Sequence, residues 1–176
     1  GSRPHSTVPA GGNHRVDTSA AKRIEGYLDS VRTNLENGRQ RDAFRLIREA
    51  AGLFPEEPVI LSYYGYLQSL VEKKFLAGTT TCQRSVALLK GKKEFEDTDF
   101  CIVYLNLGRA YVAAGKRKEA LDAFQRGLAY DNGCREIWHE LRSIGMRRKK
   151  PPIPFLERSN PVNKYIGILL YRRYAL

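Results

Sequence analysis

The chain has 176 residues, 42% hydrophobic and 28% charged, which is enough for one real core and too little for two comfortable domains, and excludes wholesale disorder. No apolar run approaches the roughly 18 residues needed to cross a bilayer. The formal net charge of +11 sits at the ends: residues 147–176 hold eight bases against Glu157 alone, a balance of +7, and residues 1–23 hold four against Asp17, a balance of +3. A nucleic-acid-binding domain usually carries its basic stripe on the folded body, and that body is nearly neutral here.

Residues 1–19 (GSRPHSTVPAGGNHRVDTS) are rich in Gly, Pro, Ser and Thr and read as a disordered tail. Gly1-Ser2 reads as the scar of a cleaved tag, which leaves the natural N-terminus open. No charged-then-apolar signal segment follows, and a cytoplasmic location is expected. From Ala20 the pattern turns helical, with Ile24, Tyr27, Leu28, Val31 and Leu35 spaced by threes and fours up to Gly38. A second helix carries Ala43, Phe44, Leu46, Ile47 and Ala50 and stops at Leu53-Phe54-Pro55. Helix three holds Ile60, Leu61, Tyr64, Leu67, Leu70 and Val71, and helix four is expected from about Thr81 to Lys93. A fifth helix carries Ile102, Leu105, Leu107, Tyr111 and Val112, turns at Ala114-Gly115-Lys116, and meets a sixth with Ala120, Leu121, Phe124 and Leu128. Three helical hairpins in series predict a repeat array.

The third hairpin, CIVYLNLGRAYVAAGKRKEALDAFQRGLAYDN, places Tyr104, Leu107, Gly108, Tyr111, Ala120 and Phe124 where the tetratricopeptide repeat, a hairpin of about 34 residues, has its signature positions. It resembles that family and departs from it at Gly127 and Asn132. Small residues at 108 and 120 suit a close helix crossing, with Tyr104, Tyr111 and Phe124 filling the space around it. The first hairpin is a weaker copy through Tyr27, Gly38, Ala43, Ile47, Ala50 and Pro55. The middle copy keeps Leu61, Tyr64 and Gly65 but reaches its small residue, read as Cys82, about five residues late, so the hairpin is expected to extend or bulge around Lys73 to Thr81. Arg135 to Met146, with Trp138 and Leu141, reads as a capping helix.

The resemblance implies an all-α tetratricopeptide-like superhelix over residues 20–146. Its concave face, built by first helices, would hold a peptide or helix of a partner protein. That face would present Leu28, Arg32 and Leu35, then Val59, Ser62, Tyr63, Tyr66 and Leu70, then Ile102, Leu105, Asn106 and Arg109, and finally His139. Only Asn106 and Arg109 suit the terminal-carboxylate clamp of some relatives, so that clamp is not expected.

After Met146 come the basic Arg147-Arg148-Lys149-Lys150 and a proline-bearing linker to residue 160, extended because successive prolines forbid helix. Asn160-Pro161 then starts an amphipathic helix over 161–176, with Tyr165, Ile166, Leu169 and Leu170 on its stripe. Three readings stay open: it folds back on the array, it docks a protein partner or a second copy of the chain, or it rests weakly on an anionic membrane surface.

Cys82, Cys101 and Cys134 are odd in number and widely spaced, so neither a disulfide framework nor a zinc site is indicated, and a reducing compartment fits. No phosphate loop, GxSxG or HExxH occurs, and His139 beside Glu136 and Glu140 reads as a solvated helix face rather than an acid-base pair. The expectation is therefore a non-enzymatic adaptor or scaffold, serving assembly of a larger complex, with no cofactor, no metal and no small-molecule substrate. The alternative is a membrane or nucleic-acid association led by the basic C-terminal segment.

Overall fold

A computed structural model describes residues 13–91 and 95–145. Among the described residues it has seven helices and no strand: α1 (Asn13–Glu36), α2 (Gln40–Leu53), α3 (Pro58–Val71), α4 (Phe75–Gly91), α5 (Asp97–Ala113), α6 (Arg117–Tyr130) and α7 (Arg135–Gly145). The fold is all-α. The chain divides into two units, Gly1–Ile137 and Trp138–Leu176, with the boundary inside α7. The linker over 147–160 and the helix over 161–176 lie outside the described residues.

In the first unit, α1 packs on α2, α3 on α4 and α5 on α6, as three successive hairpins. Further contacts join α2 to α3, α4 to α5 and α3 to α5. The core runs through them continuously, from Leu28 and Val31 through Ile47, Ile60, Leu67 and Leu89 to Val103. This layout decides which helices look amphipathic. α2 and α6 are covered on one side, burying Ala43, Phe44, Ile47 and Ala50, and Ala120, Ala123, Phe124 and Gly127, respectively. α3 and α5 each touch three other helices and are buried nearly all round, including the polar Ser62, Ser69 and Asn106.

The first and third hairpins turn alike. Gly38 at φ +71° donates its N–H to the Leu35 carbonyl while Arg39 N–H reaches Asn34; Gly115 at φ +73° donates to Val112 while Lys116 reaches Tyr111. Both are left-handed helix stops that satisfy otherwise orphaned carbonyls. In the middle hairpin the residue at that place after α3 is Lys73, the one non-glycine residue at positive φ (59°) among those described.

Two boundaries and one crossing residue differ from the sequence reading. α1 begins at Asn13, so residues 13–19 are helical rather than tail. α4 begins at Phe75, not near Thr81, so the middle hairpin is extended by an earlier start of α4 rather than bulged. The small residue at the middle crossing is Gly78, not Cys82: a Cβ on Gly65 would stand 2.5 Å from the Gly78 carbonyl oxygen, and one on Gly78 would strike Ser69. In the third hairpin Ala120 is fully buried, and a Cβ on Gly108 would run into the Phe124 ring. Cys82 thus occupies the place that Phe124 fills one hairpin later, its Sγ 2.7 Å from where a Gly65 Cβ would stand.

Candidate functional site

The expected partner face belongs to α1, α3 and α5, and packing between these helices removes part of it from solvent. Leu28, Val59, Ser62, Tyr63, Leu105 and Asn106 are buried, the last with no exposed surface at all. Tyr63, Leu105 and Asn106 therefore line the seams between helices and not an open groove, because α3 and α5 lie directly against each other. Asn106 Nδ2 donates to Ser62 Oγ at 2.9 Å, and Ser62 Oγ–H donates onward to the Val59 carbonyl at 2.7 Å. The Asn106 side-chain oxygen Oδ1 is buried without a partner.

Half-exposed on the same helices are Arg32 and Leu35 of α1, Tyr66 and Leu70 of α3, and Ile102 and Arg109 of α5. The Arg109 guanidinium sits 5.6 Å from the centre of the Tyr66 ring, at cation–π range. Arg32 pairs with Glu25 at 3.3 Å and Asp29 at 3.1 Å. Burial works against the charge on Arg32, but the Tyr63 side chain and Glu25 outweigh it, so its pKa stays above the usual arginine value. Two guanidiniums from α1 and α5 thus lean on two tyrosines of α3. His139 is exposed on α7 in the second unit, where Trp138 is also exposed. Arg147, Arg148, Lys149, Lys150, Tyr165, Ile166, Leu169 and Leu170 lie outside the described residues.

A cleft beside α5 was not legible in the sequence. α4 and α6 each pack on α5 and leave a cleft of about 540 Å³. Its floor is Val86, Leu107 and the Tyr104 and Tyr111 rings, and its rims carry Gln83, Lys90, Lys118 and Arg126. Gln83 Nε2 donates to the Tyr111 hydroxyl at 2.8 Å, and Arg126 pairs with Asp122 at 2.9 Å. These residues lie on three helices whose mutual packing no local pattern announces.

The cysteines correct the sequence reading most directly. Cys101 on α5 and Cys134, just before α7, form a disulfide across 33 residues of chain. Their spacing signals nothing, because the pairing depends on the hairpin fold that brings the end of α6 back beside the start of α5. Cys82 is free and buried, its Sγ–H directed at the Ser62 carbonyl at 3.4 Å. Burial pushes its thiol well above the ordinary range, which leaves it protonated and unreactive.

Among the described residues no group of three or more His, Cys, Asp or Glu side chains could hold a metal ion, and no helix is long and apolar enough to cross a membrane. No family model matches the chain. A comparison with curated proteins likewise finds no match.

Proposed function

We propose that this chain is a tetratricopeptide-type scaffold that holds a partner protein, as a peptide or helix, on the face formed by α1, α3 and α5. The observation that carries this reading is the set of half-exposed residues on that face: Arg109 against the Tyr66 ring, with Leu70 and Ile102 half-exposed on the same two helices. Aromatic and arginine side chains held in place by their neighbours are the commonest anchors of protein interfaces, because they bury much area at little entropic cost. The buried Tyr63, Leu105 and Asn106 would set the spacing of α3 and α5 and so the shape of the face. A matching partner segment presents apolar side chains to Leu70 and Ile102 and a carboxylate or backbone carbonyl to Arg109. Service as an adaptor in a larger assembly follows from such a face.

The test places a photo-crosslinking phenylalanine analogue at position 66 and, separately, at exposed position 125 on α6. The reading expects one protein species crosslinked at 66 and absent at 125. That protein, once purified, should bind the wild-type chain and lose about tenfold or more in affinity to Tyr66→Ala with Arg109→Glu. Equal crosslinking at both positions, or binding indifferent to that double substitution, would overturn it.

A further inference from the structure

Cys101 and Cys134 have Cα atoms 6.8 Å apart, and both are buried, at 3% and 7% exposure. Cys134 closes a tight turn in which its own N–H reaches the Asp131 carbonyl at 3.3 Å and Gly133 N–H reaches the Asp131 carboxylate at 2.9 Å. Three residues on, the fully buried Ile137 brings its Cδ1 to 2.5 Å from where a Cβ on Gly127 would stand. The Cys101 carbonyl oxygen lies 3.6 Å from that same point. One disulfide and one isoleucine therefore fasten residues 134–137 to α5 and α6. Around them Asn132, Gly133, Arg135 and Glu136 are exposed, so the fastened segment is a short strap with solvent on its outer side.

We propose that the Cys101–Cys134 bond is a redox-responsive clasp, cleaved by a dithiol reductant in thiol–disulfide exchange, which frees residues 134–137 while the three hairpins stay folded. One thiolate of the dithiol attacks a sulfur of the pair. The S–S bond breaks, a mixed disulfide forms, and the other cysteine leaves as a thiol after taking a proton. The second thiol of the reductant then displaces the mixed disulfide. Cys101 and Cys134 gain two electrons and two protons in total, and the dithiol departs as a disulfide. Local opening of the strap gives the reductant access, because the segment is one short turn leading into α7, with Arg135 and Glu136 exposed on its outer side and Ile137 holding its inner side. Cys82 takes no part: it is buried under α3 and α5, with its sulfur against the Ser62 and Asn106 carbonyls. The clasp is independent of the partner face and stands whether or not that face binds anything.

The experiment treats the full chain in native buffer with dithiothreitol and follows trypsin cleavage after Arg135 and after Arg45, with alkylation to count thiols. Reduction should expose two new thiols and speed cleavage after Arg135 by about tenfold or more beyond any change in cleavage after Arg45; oxidised dithiothreitol should reverse it. A chain with both Cys101→Ser and Cys134→Ser should cut quickly at Arg135 with or without reductant. Three free thiols in the unreduced, unfolded chain would overturn the proposal. So would a bond that resists reductant until the whole array melts, or equal acceleration at Arg45. The wild-type comparison decides the matter even where the double variant fails to fold.

Discussion

Gly108 has no room for a single methyl group. A Cβ there would enter the Phe124 ring, which is itself fully buried. Gly108→Ala should therefore destabilise the array by about 2 kcal/mol or more in urea unfolding, an overpacking cost. Lys73 makes the opposite case. It holds a left-handed stop that glycine fills in the other two hairpins, and a side chain in that conformation costs roughly 1–2 kcal/mol, against a smaller entropic cost for glycine. Lys73→Gly should stabilise the chain by about 0.5–1 kcal/mol in the same assay. Cys82 gives a pH dependence. Its thiol is raised by burial, so the folded chain keeps a proton that the unfolded chain releases above about pH 8.5. Its contribution to stability is complete below that pH and falls by about 1.4 kcal/mol per unit above it. The difference in unfolding free energy between wild type and Cys82→Ala should show that slope between pH 8.5 and 10. A difference flat with pH would mean that the thiol is not sealed. At this scale the tight place of Gly108 beside Phe124 was readable from spacing, whereas Gly78 was not, because its role depends on Ser69 and Gly65 across the hairpin.

Helices with one covered side could be read from sequence, and helices with several could not. α2 showed its buried stripe in advance, at Ala43, Phe44, Ile47 and Ala50. α4 opens with Phe75-Leu76-Ala77-Gly78-Thr79-Thr80-Thr81, whose glycine and threonines look like a loop. It is helical because Gly78 lets α4 approach α3 closely, while Thr79 and Thr81 satisfy their hydroxyls within the helix on the Phe75 and Ala77 carbonyls at 2.8 and 2.9 Å. α5 is fixed at its start by Glu96 N–H donating to the Asp99 carboxylate at 3.1 Å. Asp99→Ala should cost about 1 kcal/mol, seen as a lower midpoint in thermal unfolding. The disulfide belongs to this scale too, since it ties α5 to the chain leaving α6. Closing a loop across 33 residues should stabilise the chain by about 3–4 kcal/mol, so reductant should lower the urea midpoint accordingly.

For the whole molecule, the uneven charge offers a rival to the partner face. Residues 147–176 carry most of the +11, and binding led by them would be binding to phosphate or lipid headgroups, falling steeply as salt rises. Binding through Tyr66, Leu70 and Ile102 with one guanidinium should weaken only about two- to threefold between 50 and 300 mM salt, since most of its free energy is apolar. Of the face expected from sequence, the half-exposed Tyr66, Leu70, Ile102 and Arg109 remain available, while Tyr63, Leu105 and Asn106 are sealed between helices. A helical register names the residues on a face but not how deeply the next helix covers them. The most direct measurement is the dissociation constant of the crosslinked partner for two variants of the full chain. One carries Tyr66→Ala and Arg109→Glu, and the other replaces Arg147, Arg148, Lys149 and Lys150 with alanine. The partner-face account predicts a loss of about tenfold or more for the first and less than about twofold for the second. The reverse pattern would contradict it and hand the function to the basic terminus.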